Sequence, residues 1–304
     1  MLALGLRSSM SGQLTRCQAP QMVVGVAVYT LGERADELMT KTKPMPLGEP
    51  RQLLAPLVHQ AWQAFDRAGV LPSRVAPAAP ILFFGDLDAH LNSPLRVLTV
   101  GLNPSLHEFP SNDAFSRFPL IQGNGEREPA RYLDAMSAYF RTKPYRGWFS
   151  SYEAVLDGAR SSYYAGKRST ALHTDICTPV ATDPTWSSLG PDRPELQAAG
   201  VPLWHELLKV LRPQIVLLSV AQWHLNHIRF QAIGPWQTLR VFDRTGQGDL
   251  RKRPYEVRAR WYEVASERSL FAWGRAAQKP FGHLANIQKR EAGAIMVEAY
   301  EDGR

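Results

Sequence analysis

The stretch from Val97 to Ser105, Val-Leu-Thr-Val-Gly-Leu-Asn-Pro-Ser, restricts the fold more than any other segment of the chain. A β-branched and Leu run without polar alternation suits a strand buried on both faces, which means a parallel strand inside an α/β sheet. It ends abruptly in Gly101-Leu102-Asn103-Pro104-Ser105, where Gly and Pro stiffen a turn around one carboxamide. In open α/β sheets ligands bind at that edge, outside the carboxyl ends of the strands. Gly, Asn and Pro are also ordinary punctuation of a strand exit, so the turn by itself leaves both readings open.

The rest of the chain alternates. Leu54, Leu57, Val58, Ala61, Trp62 and Phe65 keep the three-and-four spacing of one helix face, and Gly69 is placed to stop that helix. After the Pro-rich 72–80 segment, Ile81 to Asp86 reads as a short strand, followed by the motif strand from Arg96. Helical patterns recur over 129–142 and 150–164, Ser169 to Cys177 reads as a strand, Pro202 to Leu211 as a helix and Gln214 to Val220 as a strand. Such alternation predicts an α/β fold, a three-layer α/β/α sandwich with a central, mainly parallel sheet. Residues 1–49 read as an N-terminal extension whose end, 37–50, is a Lys/Pro/Gly connector, and 50–304 as a single domain.

The last third departs from the pattern. Trp236 to Phe242, Tyr255 to Val264 and Ser269 to Trp273 are strand-like runs that predict a strand-rich insertion around 236–264. Arg244, Arg251, Lys252, Arg253, Arg258 and Arg260 lie there among Tyr255, Trp261 and Tyr262, against only Asp249 and Glu256. Basic residues beside aromatics suit phosphate contacts and base stacking, and equally a solvated basic strand face.

Composition supports a soluble protein with a polyanionic partner. With 304 residues, 44% of them hydrophobic, a real core can form, and the formal charge of +7 favours association with a polyanion. Two cysteines, Cys17 and Cys177, exclude a disulfide framework and a four-thiolate cluster and suggest a reducing compartment, and a cytoplasmic, bacterial location is the expectation. No uncharged apolar run reaches about eighteen residues, so no membrane partner is expected. The acid-free opening Met1 to Met10 has some transit-peptide character, while Met10 and Met22 offer alternative starts.

Gly101-Leu102-Asn103-Pro104-Ser105 resembles the first motif of the uracil-DNA glycosylase superfamily, especially the G-I-N-P-G and G-M-N-P-G forms of its mismatch-specific and single-strand-selective branches. The resemblance runs from about residue 80 to 290. It implies an enzyme that flips a base out of DNA and hydrolyses its N-glycosidic bond, with Asn103 positioning the water. Gly101, Leu102, Pro104 and Ser105 would shape the turn and contact substrate. Asn in place of the Asp of the most efficient uracil-removing branch implies reliance on water orientation, hence slower and broader excision. Glu108 is a further general-base candidate, against the blander role of a loop salt-bridge partner.

The same resemblance assigns three more places. Phe115 stands twelve residues beyond Asn103, where the family's base-stacking Phe is expected, with Phe118 and Phe109 as alternatives. Leu172-His173-Thr174-Asp175-Ile176-Cys177-Thr178-Pro179 is similar to the second pocket strand, but Asp175 replaces the Asn that reads the base edge. An ionised Asp only accepts hydrogen bonds, which favours a base with an exocyclic amino group over uracil. The Asp could instead cap a helix or pair with an Arg. Pro280-Phe281-Gly282-His283-Leu284-Ala285-Asn286 resembles a diverged H-P-S motif without its Pro and Ser. His283 would stabilise the leaving base, Leu284 or Ile287 would wedge into the duplex, and Lys289 and Arg290, with Arg251, Lys252 and Arg253 of the insertion, would hold phosphates.

His224 and His227 compete with His283. Their spacing suggests a metal pair, but no third ligand stands at a recognisable spacing. No cofactor, metal or iron-sulfur cluster is therefore expected, although thermophilic branches of the superfamily carry such a cluster. No Lys is placed as a Schiff-base nucleophile, so a monofunctional, monomeric DNA N-glycosylase acting on duplex or single-stranded DNA is the expectation. Its base would be a modified cytosine, such as the glucosylated hydroxymethylcytosine of some phages, with antiviral defence as the role. A uracil or mismatch repair enzyme, a binding module that has lost hydrolysis, and a small-molecule hydrolase remain as other readings.

Overall fold

Four short strands, each buried along almost its whole length, form the parallel part of the sheet. In the computed structural model, which describes residues 48–122, 127–277 and 279–304, these are β1 (Val97–Gly101), β4 (Leu172–Asp175), β5 (Ile215–Leu218) and β8 (Glu267–Gly274). The N-terminal extension, with Met10, Cys17 and Met22, lies outside the described residues. The six-stranded sheet has the order β4-β1-β5-β8-β7-β6, with β6 (Gln231–Arg244) and β7 (Leu250–Val264) antiparallel additions at one edge. The expected mainly parallel three-layer α/β/α sandwich is the fold observed.

Helices cover both faces because the connections change direction. The chain leaves β1 for β4 on one side through α3 (Pro129–Ala138) and α4 (Arg146–Gly158), then returns past β1 to β5 through α5 (Arg193–Leu211). Right-handed crossovers in opposite directions put their helices on opposite faces. Accordingly α5 packs on α1 (Gly48–Arg67), while α4 packs on the C-terminal α6 (Asn286–Asp302). The α4–α6 crossing is a backbone contact: a Cβ on Gly293 would lie 2.0 Å from the Val155 carbonyl oxygen, and one on Gly158 1.9 Å from that of Arg290.

Three sequence expectations change. Ile81 to Asp86 is not a strand; it runs extended beside β4 with one antiparallel bridge, Phe84 to His173, before Gly85 (φ +120) turns it into the short α2 (Leu87–Leu91), capped by Asp86. The single strand expected over Ser169 to Cys177 is two. Ser169–Thr170 is β3, which pairs with β2 (Ser161–Ser162), and β4 follows it.

The third change concerns the basic insertion, whose strands are longer than the apolar runs suggested: 14 residues in β6 and 15 in β7. β6 tolerates Pro235 because it is an edge strand and Pro235 falls in the break of the β6–β7 register between Ile233 and Gln237. β7 first meets β8 at Val257, opposite Gly274, so before it Leu250, Tyr255 and Glu256 pair with β6 alone. Gly274 is the carboxyl end of β8, and the resulting two-stranded ribbon projects from the same edge of the sheet as the ends of β1, β4 and β5. Among the described residues no helix is long and apolar enough to cross a membrane.

Candidate active site

The loops leaving β1 and β5 diverge toward opposite ends of the sheet, so a crevice opens at the carboxyl ends of these neighbouring strands. The Asn103 turn lies at this rim. It is pinned to the β4 exit by backbone bonds from Ile176 N to Gly101 O (3.0 Å), from Cys177 N to Leu102 O (2.9 Å) and from Thr182 N to Pro104 O (3.2 Å). Asn103, half-buried, donates through Nδ2 to Pro104 O (2.6 Å) and Thr182 Oγ1 (2.8 Å). With both amide hydrogens engaged, Oδ1 is left as an acceptor that takes no hydrogen bond among the described residues.

Asp175 stands opposite Gly101 in the β1–β4 register, and its side chain, 4% exposed, folds over the end of β1. A Cβ on Gly101 would come within 2.4 Å of Asp175 Oδ1 and 3.0 Å of His173 Nε2, so only glycine lets this carboxylate lie there. No helix is capped by Asp175 and no Arg pairs with it among the described residues; the imidazole of His173 lies near it, with Nε2 3.7 Å from Oδ1. His173 is itself held from below, Nδ1 lying 2.8 Å from Thr99 Oγ1, which shares a hydrogen bond with Tyr163 OH.

Glu108 is the residue that the sequence reading undervalued. Ser105 caps the short 3-10 turn Leu106–Glu108, and that turn carries Glu108 inward to 4% exposure. It is not a salt-bridge partner: its Oε2 accepts from Tyr139 OH (2.5 Å), and Tyr139 OH accepts from Tyr145 N (2.9 Å). Burial pushes the Glu108 carboxyl up to about 8, with the negative charge of Asp175 adding to the shift and Tyr139 and Arg117 opposing it. At neutral pH Glu108 is thus an uncharged acid that can donate a proton.

The three candidate stacking rings are told apart by burial. Phe109 and Phe118 are core residues stacked on each other with centroids 5.4 Å apart, whereas Phe115 is half-buried and meets Phe109 edge-on. Of the three, only Phe115 keeps part of its surface exposed.

The β8 exit fits only in part. Phe281 N donates to Ser219 Oγ (2.8 Å) at the end of β5, and the Phe281 ring fills the space over Gly274, which places the following His283 on the same rim, exposed, 6.3 Å from the Tyr255 ring. Leu284, however, is 5% exposed in the core and cannot be a wedge; Ile287, 72% exposed in the first turn of α6, can. Lys289 is buried, its ammonium donating to Ser151 O, Ser151 Oγ and Pro280 O, so it ties α4 to the rim loop and does not reach a phosphate. Arg290 is exposed but paired with Asp157 on α4.

On the ribbon, Arg251 is half-buried and donates to His283 O (2.8 Å) and Gln288 Oε1 (3.2 Å), so it fastens the ribbon to the rim. Lys252 and Arg253 are exposed. Thr182 had no distinguishing sequence signal; only the fold places its hydroxyl against Asn103. A hollow of about 250 Å³ between α1 and α5, lined by Ala64, Arg67, Thr178 and Glu195 among others, holds none of the candidate site residues. No protein-family model matches the sequence, and no curated protein does.

Proposed function

We propose that this protein is a monofunctional DNA glycosylase that hydrolyses the N-glycosidic bond of an extruded, amino-bearing base such as a modified cytosine, leaving an abasic site. The observation that carries this reading is the Asn103 carboxamide, with its amide tied to Pro104 and Thr182 and its Oδ1 free, two residues beyond the Gly101 that faces the buried Asp175. A fixed acceptor of this kind orients a water without taking its proton, which suits attack on a sugar carbon that already carries positive character. The oxygen of that water bonds to C1′ as the C1′–N bond breaks, the base departs with the electron pair and takes up a proton, and the proton shed by the water passes to solvent, so the products are the abasic sugar and the free base.

Asp175 accepts from an exocyclic amino group, and the neutral Glu108 supplies the donor that a carbonyl or ring nitrogen of the same base needs. Phe115 offers its exposed surface to the flipped base, and His283 donates to the leaving group. Lys252 and Arg253 lie on a ribbon that leaves the same edge of the sheet, which suits backbone contacts on either side of the flipped nucleotide. Removal of a glucosylated or otherwise modified phage cytosine, and with it defence of a bacterial host in the cytoplasm, is the role this chemistry fits best.

The test is a panel of single-stranded and duplex oligonucleotides carrying uracil, hypoxanthine, methylcytosine, hydroxymethylcytosine or glucosylated hydroxymethylcytosine, read as alkali-labile breaks. Breaks at a modified cytosine are expected, and Asn103→Ala should cut their rate roughly 10²–10³-fold with binding retained. Binding without breaks on every substrate would identify a binding module instead. Breaks confined to uracil, or unchanged by Asp175→Asn, would remove the amino-base assignment.

A further inference from the structure

The rim holds a second group of residues that the excision chemistry does not use. Cys177 leaves β4 two residues after Asp175, and His224 and His227 lie in the 3-10 turn Gln222–His227 that follows β5. A 3-10 helix has three residues per turn, so positions i and i+3 eclipse one another. That geometry puts the two imidazoles on one face, with ring centroids 5.4 Å apart. The fold then supplies the third group that the sequence spacing lacked: one donor atom each from Cys177, His224 and His227 lie within 4.8 Å of one another.

We infer that Cys177, His224 and His227 bind a borderline-soft divalent cation of the zinc class, which braces the pocket rim. Donors around tetrahedral zinc sit roughly 3.3–3.6 Å apart, given bonds of about 2.0–2.3 Å, so side-chain rotation closes the remaining gap. The orphaned state of the site points the same way. His224 is 4% exposed, yet its Nδ1 has no hydrogen-bond partner. Neighbouring Gln197 spans the other two groups, its Nε2 lying 3.1 Å from His227 Nε2 and 3.9 Å from Cys177 Sγ. With its amide turned over, its oxygen can supply the fourth ligand, a place otherwise taken by water.

A bound cation would take Cys177 as the thiolate and both histidines as neutral imidazoles. A metal here joins the β4 exit to the β5 exit, and the Cys177 N–H already holds Leu102 O of the turn between them. The cation would fix the walls that carry Asp175 and Asn103, while the water acts elsewhere. This inference does not depend on which base, or whether any base, is excised.

Cobalt(II) titration of the chelator-treated full chain, in a Cys17→Ala background, provides the test. One equivalent should produce a near-ultraviolet thiolate-to-cobalt band and the visible bands of a tetrahedral ion, both displaced by zinc. Cys177→Ala should abolish the near-ultraviolet band. His227→Ala, which removes a less buried side chain, should weaken cobalt binding about 100-fold or more and is the check if Cys177→Ala fails to fold. Absence of the thiolate band in the folded Cys17→Ala protein overturns the inference. So does persistence of the bands at unchanged affinity in either variant.

Discussion

The two ends of the sheet solve different problems. On the β4-β1-β5 side the strands are four or five residues long, nearly every position is buried, and the β1 and β4 rim loops are tied to each other by backbone hydrogen bonds. At the other end β6 and β7 run 14 and 15 residues, β6 is largely exposed, and its pairing with β7 slips register at three places. The first region fixes single atoms, above all Asn103 Oδ1 and the Asp175 carboxylate. The second offers charge over a long, twisted edge, where register errors cost little. Precision is concentrated where the proposed hydrolysis would take place, and adaptable charge where the proposed DNA partner would lie.

Substitutions can break that contrast, and the largest effect is expected in the rigid half. Gly293→Ala drives a Cβ into the Val155 carbonyl of the facing helix, and backbone cannot step aside as a side chain can. A loss of about 3 kcal/mol or more in urea unfolding is expected; a loss below about 1 kcal/mol would mean that α4 and α6 can separate freely.

Glu108 tests the same half through pH. The unfolded chain ionises it near the ordinary 4.5, whereas the folded chain keeps it neutral up to about 8. Its stabilising effect is therefore full below about pH 4.5, declines as pH rises through that window, and is gone above about pH 8. Glu108→Gln, neutral throughout, should become more stable than the wild type by on the order of 3 kcal/mol near pH 9 and differ little near pH 4.5. Parallel thermal-unfolding profiles across that range would show that Glu108 ionises normally.

The ribbon predicts a different kind of failure. Replacing Lys252 and Arg253 together by Ala should weaken DNA binding about tenfold at moderate salt and flatten the slope of log K against log salt by roughly two, with the rate of base release in the bound complex unchanged. A reduced single-turnover rate would place these residues in the chemistry.

The smallest effect concerns the turn that joins the ribbon to the core. Ala265 and Ser266 connect β7 to β8 with both φ values positive, 51 and 64 degrees, a two-residue hairpin turn that favours Asn-Gly. Ser266→Gly should therefore raise stability by about 0.5 kcal/mol and leave DNA binding untouched, as thermal unfolding and a binding titration would show.

Local patterns carried much of this. The unbroken apolar runs at Val97–Val100 and Ile215–Leu218 are buried parallel strands because only a covered sheet accommodates them, and the helix face from Leu54 to Phe65 packs as its spacing required. The Gly101–Ser105 turn was legible for the same reason, since Gly and Pro restrict the backbone wherever they stand. Leu284 and Lys289 were misplaced because sequence gives a residue's order along a loop and not the face it turns to; one enters the core, and the other is drawn in by Ser151 and Pro280.

The sequence by itself determined the α/β class, the rim position of Asn103 and the basic character of residues 244–260. Tertiary structure decided which groups meet there. Thr182 reaches Asn103, Asp175 lies over Gly101, Glu108 is buried against Tyr139, and Cys177 joins two histidines about fifty residues away. Periodicity and turn chemistry act over a few residues, so they write themselves into the sequence locally. Charge burial and ligand geometry depend on segments far apart in the chain, and only the closed sheet brings those together.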